Sequence, residues 1–162
     1  MGLDAVVYCD CIEKGRLRVS HPRPELLHIA ENGAPFHSGG AEFHPVHDGW
    51  EWSQPCAHRD FVLLHHRLGN FGHITWVRKR LEECLATPGT QLPIFQTKVV
   101  YNGIHAGDFL NLHEVDLLRH ELDQLDSYGW NAEDEFAMLD IIGKLKGLVY
   151  ASLWVGKPIS FL

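Results

Sequence analysis

The sequence predicts an α+β fold, and three observations carry that expectation. The first forty residues read as short β-prone runs broken by turn residues. Three later stretches place apolar residues at helical spacing behind capping residues. A chain of 162 residues that is 45% apolar and 22% charged suits a single globular domain over residues 1–162, large enough to bury a core of its own.

Leu3 to Ile12 is apolar and β-prone, interrupted by Asp10, as expected of a largely buried strand. Lys14-Gly15 supplies a turn and Arg16 to Val19 alternates with period two, which predicts a hairpin returning along the first strand. A second hairpin is expected from Glu25 to Ala30, the turn Glu31-Asn32-Gly33, and Ala34 to His37. Residues 38–59 are crowded with Gly39, Gly40, Pro45, Gly49 and Pro55, interleaved with Phe43, Trp50, Trp52 and the histidines His44, His47 and His58. That texture reads as a long His/Trp-rich loop, and long loops carry function more often than scaffolds do.

Phe61 to His66 is a short buried segment of either type. Asn70 can cap a helix over Phe71 to Ala86, with Ile74, Val77, Leu81 and Leu85 on one face; Thr87-Pro88-Gly89 ends it. Gln96 to Tyr101 reads as a strand. Asn111 with Glu114 has capping-box spacing and opens a helix over Leu112 to Leu125 with a Val115, Leu118, Leu122 and Leu125 stripe. Asn131 with Asp134 repeats that logic for a long helix to Val155, whose inner face is expected to carry Phe136, Leu139, Ile142, Leu145, Leu148 or Val149, and Leu153. Lys157-Pro158 stops it, leaving Ile159 to Leu162 as an edge strand or tail.

No run approaches the roughly 18–20 apolar residues of a membrane span, and the start has no signal-peptide character, so a cytosolic protein is expected. The formal charge of -7 argues against general nucleic-acid binding. That charge is unevenly placed. Between Asp108 and Asp140 ten acids face the single base Arg119, whereas the remaining chain has 11 acids and 13 bases. Gathered on one surface, Asp116, Asp123, Asp126, Glu133 and Asp134 would steer a basic protein, with Tyr128 and Trp130 as aromatic anchors. Alternatively, the acids are solvated helix faces and the two rings fold back over the core.

No motif is strong enough to name a reaction. Cys9-Asp10-Cys11 would place two thiols on one side of a strand, yet lacks the Cys-x2-Cys spacing of zinc knuckles. The simplest reading of Cys9, Cys11, Cys56 and Cys84 is four free thiols, with Cys9 and Cys84 as small buried hydrophobes. His44, His47, Cys56, His58, His65 and His66 lie within 23 residues, and a loop could fold their imidazoles and thiol into a tetrahedral site of the kind zinc accepts. His113, Asp116 and His120 share a polar helical face. A Cys-His-Asp set drawn from Cys9 or Cys11, His65, His66 or His105, and Asp108 can be assembled on paper as a polar cleft. His65, His66 and His105 have no structural reason visible in the sequence. No cofactor is otherwise implied.

Gly2 to Cys11, His65 to Asn70, Lys98 to Asp108 and Val155 to Ile159 together resemble a family of uncharacterised bacterial proteins of about this length. The resemblance covers most of the chain and implies no activity. Size and acidity give a broader likeness to small immunity proteins of bacterial toxin systems. The leading expectation is therefore a non-enzymatic cytosolic binding protein of immunity type that occludes a basic toxin domain. Its alternative is a metal-binding protein or metal-dependent hydrolase using the loop histidines and cysteines.

Overall fold

A computed structural model of the chain describes residues 2–21, 23–38, 55–101, 105 and 107–162. The fold is α+β, built on a four-stranded antiparallel sheet with a long C-terminal helix. The first strand, β1 (Gly2–Tyr8), is the centre of the design. Its Ala5, Val6 and Val7 are consecutive and all buried, so both faces of the strand are covered. After the small hairpin β2 (Leu27–Ile29) and β3 (Pro35–His37) come β4 (Val62–Asn70) and α1 (Phe71–Leu85), then β5 (Phe109–Leu110), α2 (Leu112–Asp126), α3 (Glu135–Val155) and β6 (Ile159–Phe161). The sheet order is β4-β1-β6-β5.

The expected hairpin over Arg16 to Val19 is not formed. β1 pairs instead with β4, Gly2 opposite Asn70 and Tyr8 opposite Val62, and with β6 on its other side. A nine-residue strand and an apolar C-terminal strand outcompete a four-residue arginine-rich segment for that edge. The unassigned segment after Phe61 is thus β4. The C-terminal Ile159–Phe161 is an interior strand between β1 and β5, not an edge. The second hairpin forms where expected. Gly33 takes φ 84° in its turn, and a Cβ there would lie 3.2 Å from the Pro158 ring, so the position needs glycine twice over.

α1 and α2 follow their sequence signals. The Asn70 side chain accepts from the His73 amide, and Asn111 and Glu114 form the full capping box. Val115, Leu118, Leu122 and Leu125 are all buried where α2 packs against α3. Gln96 to Tyr101 is not a strand: Phe95–Val99 is a π-helical turn whose Ile94 and Phe95 amides donate to the buried Glu121 carboxylate at 2.8 and 2.7 Å. A carboxylate delivered by α2 satisfies amides that a sheet would otherwise have to satisfy.

The expected inner face of α3 is met in part. Ile142, Leu145, Leu148 and Val149 are buried as expected, joined by Met138 and Ile141, while Phe136 is 86% exposed and Leu139 and Leu153 also face outward. The exposed face of α3 carries large apolar residues such as Tyr150 and Trp154 as well as the Asp140–Lys144 pair, so periodicity does not fix where the inward stripe runs at the helix ends. The helix begins at Glu135, because Asn131 caps the preceding turn by accepting from the Glu133 and Asp134 amides. It ends at Gly156, whose φ of 69° stops the helix in the left-handed region. None of the described helices is long and apolar enough to cross a membrane.

Candidate metal centre

Past the end of β1 the chain leaves the ladder but keeps one bond of it, the Cys9 amide donating to the Phe61 carbonyl at 2.7 Å. Cys9 and Cys11 therefore lie beyond the strand, at the entry to a turn over residues 11–15, rather than sharing a strand face. Lys14 and Arg16 amides close that turn on the Asp10 and Cys11 carbonyls, and the Arg16 guanidinium pairs with Asp10. The loop that precedes β4 approaches from the other side, anchored by the Arg18 amide on the Pro55 carbonyl at 2.7 Å. It brings Cys56 and His58 to the two thiols.

Four ligand atoms converge there. Cys9 Sγ lies 3.8 Å from Cys56 Sγ, Cys11 Sγ lies 3.4 Å from His58 Nδ1, and Cys56 Sγ lies 3.8 Å from the same nitrogen. All four atoms fall within 4.8 Å of one another. A tetrahedron with metal–sulfur bonds of about 2.3 Å and metal–nitrogen bonds of about 2.05 Å has edges of about 3.8 Å between sulfurs and about 3.6 Å between sulfur and nitrogen. The three separations of 3.8, 3.4 and 3.8 Å are close to those edges, and the remaining pairs lie within 4.8 Å. The three cysteines are buried, and His58 is the half-buried ligand, its Nδ1 turned inward.

Burial pushes the Cys9 thiol up to about 12, and burial also raises Cys11, although the nearby Arg16 charge lowers it. These two groups are therefore neutral thiols in the absence of a cation, and a cation that binds them has to displace their protons. The His58 amide points at Cys56 Sγ from 3.4 Å, a donor that stabilises a metal-bound thiolate. The following turn is strained. Asp60 and Phe61, neither a glycine, take φ 52° and 60°. Consecutive left-handed residues cost on the order of 1–2 kcal/mol each and persist only where surrounding structure enforces them. Phe61 is buried beside the cysteines, with Tyr8, Ile12, Leu17 and Leu63 around it. Lys157 pairs with Glu13 and fastens the corner to the α3–β6 junction.

Of the weak metal candidates, Cys56 and His58 belong to this cluster, while His44 and His47 lie outside the described residues. Cys84 is a buried thiol in the main core, as expected. The members of the expected polar cleft divide among separate places. Cys9 and Cys11 are in the metal corner, and His65 on β4 bonds to Asp4 on β1 at 3.1 Å. His66, next along β4, has an imidazole held below its ordinary range by burial and by Lys144. His105 packs between the Tyr101 and Phe161 rings with both nitrogens buried and unbonded, and Asp108 accepts from the Tyr101 hydroxyl at 2.6 Å.

The acids expected to receive a partner are largely engaged within the chain. Asp123 and Asp126 both bind Lys146, at 3.2 and 2.9 Å, and Asp116 binds Arg119 at 2.7 Å. Asp134 is buried, held by Asn131 and by Arg80 at 3.0 Å. Glu133 is exposed. Tyr128 and Trp130 pack edge to face at 4.5 Å against the core, with the indole N–H donating to the Leu125 carbonyl.

What sequence reasoning missed is the set, not its members. Two half-motifs, Cys-x-Cys and Cys-x-His, carry matched ligand spacing, and each contact pair is 47 residues apart. Comparison with protein-family models, curated proteins and solved structures finds no match to the chain, so its functional reading rests on this geometry.

Proposed function

We propose that this is a metal-binding protein that holds one zinc ion through Cys9, Cys11, Cys56 and His58. The observation that supports the reading is the convergence of four ligand atoms within 4.8 Å, three of their separations being close to the edges of a Cys3His tetrahedron. Three soft thiolates with one imidazole select zinc over the hard, oxygen-seeking cations. Four protein ligands leave no open position for water or substrate, which is the pattern of a structural centre rather than of a hydrolase. The ion's work is to join the end of β1 to the entry of β4. It neutralises the buried thiolates and balances the strained Asp60-Phe61 turn.

The immunity-type expectation has less to stand on, because Asp116, Asp123, Asp126 and Asp134 have cationic partners of their own. Elemental analysis separates the two readings. Protein purified without a His tag is expected to carry one zinc per chain, and Cys11→Ala to carry none. Folded, metal-free wild-type protein that takes up no zinc when it is supplied would contradict the proposal.

A further inference from the structure

We infer that the centre is a thiol–disulfide switch, in which a small-molecule disulfide converts Cys9 and Cys56 to a cystine and releases the zinc ion. This rests on the zinc reading above and adds a mode of regulation to it.

Two features support the choice of residues. Cys9 and Cys56 bring their sulfurs to 3.8 Å, while Cys11, which also interacts with both of these thiols, has the His58 imidazole at 3.4 Å. The cystine would also join the same two segments that the ion joins, the end of β1 and the entry of β4. The corner therefore stays tied when the ion leaves, and the Cys9 amide bond to Phe61 is kept. A cystine between Cys9 and Cys11 would close a turn two residues wide and leave the two segments unlinked. Access is through His58. It is the one ligand side chain that reaches solvent, and it contacts both Cys11 and Cys56, so its displacement opens the cluster, Cys56 included, to the oxidant.

The electron balance is complete with the named oxidant. The Cys56 thiolate attacks one sulfur of the disulfide, forms a mixed disulfide and expels the first small thiolate. The Cys9 thiolate then attacks the Cys56 sulfur, forms the Cys9–Cys56 bond and expels the second. Two electrons pass from the two protein sulfurs to the small disulfide, which leaves as two thiolates. Zinc loses two of its four ligands, and Cys11 with His58 alone cannot retain it against water.

The test uses the full-length, zinc-loaded wild-type chain with excess glutathione disulfide under anaerobic conditions. Zinc release is read with a chromogenic chelator, and cross-links are mapped by non-reducing peptide mass spectrometry. The expected result is one equivalent of zinc released per chain, with a Cys9–Cys56 cross-linked peptide two hydrogens lighter than its reduced parts. Cys84 stays alkylatable, and dithiothreitol with added zinc restores the centre. Zinc retained with unreacted thiols, or zinc released without that cross-link, overturns the switch and leaves the zinc reading standing. Protein that carries and takes up no zinc at the outset overturns both. Since the mapping is done on wild-type protein, it does not depend on a cysteine variant folding.

Discussion

The helical core and the cysteine corner differ in what holds them together. Beneath α2 and α3, a continuous apolar cluster running from Leu3 to Phe161 is buried, with Leu118, Leu122, Leu145 and Phe95 fully enclosed. In the corner, the buried cluster is three thiols and one phenyl ring. Such a cluster supplies little apolar area, and its backbone includes two strained residues. Under the proposed zinc reading the contrast teaches where a metal matters in a domain of ordinary size: the core would need none, and the cysteine corner would depend on one.

The sharpest way to break this comparison is to remove the ion. A strong zinc chelator is expected to lower the thermal midpoint by more than about 10 °C while helical circular dichroism at room temperature is retained, since binding free energy at such sites is folding free energy. A midpoint indifferent to chelation would show that the corner stands without metal. The opposite perturbation is Leu118→Ala, which opens a cavity between α2 and α3. It is expected to cost about 2–5 kcal/mol in denaturant unfolding. Its zinc content should stay at one per chain, and a loss of zinc would show that the two regions are not independent.

A smaller effect is expected at Glu121, the one buried carboxylate that joins α2 to the π-helical turn. Burial raises its pKa, partly offset by the amides of Phe95 and Ile94. Glu121→Gln keeps one acceptor oxygen and strands one amide, at a cost of about 1–3 kcal/mol, measured as the shift in denaturant midpoint.

The smallest effect is a pH dependence. Burial holds His105 below its ordinary range, the nearby Asp108 charge opposing that only in part, so the folded chain resists a proton that the unfolded chain accepts. Stability is therefore expected to fall as pH drops below the unfolded value of about 6.5 and toward the folded one. His105→Phe, placed between the same Tyr101 and Phe161 rings, should flatten that decline. An unchanged slope would assign the decline elsewhere, His66 being the next group with a lowered value.

The legibility of the sequence follows the same division. α2 is readable to within one residue because its capping box and apolar stripe are local and agree. The inward stripe of α3 is readable only at its centre, because Phe136, Leu139 and Leu153 offer a competing apolar pattern that faces outward. The π-helical turn at Phe95 was hidden because the acceptor for its amides, Glu121, comes from another helix. The centre was half legible. Each ligand is a candidate on sequence alone, yet Cys-x-Cys lacks the Cys-x2-Cys spacing of zinc knuckles and no second cysteine pair follows it. Only the fold brings Cys56 and His58 to the two thiols.

The most direct measurement is X-ray absorption at the zinc edge of the purified, untagged chain. A Cys3His centre requires a first shell of three sulfur scatterers at about 2.3 Å and one nitrogen at about 2.0–2.1 Å. A shell of oxygen and nitrogen alone, or the absence of bound zinc, would contradict the account.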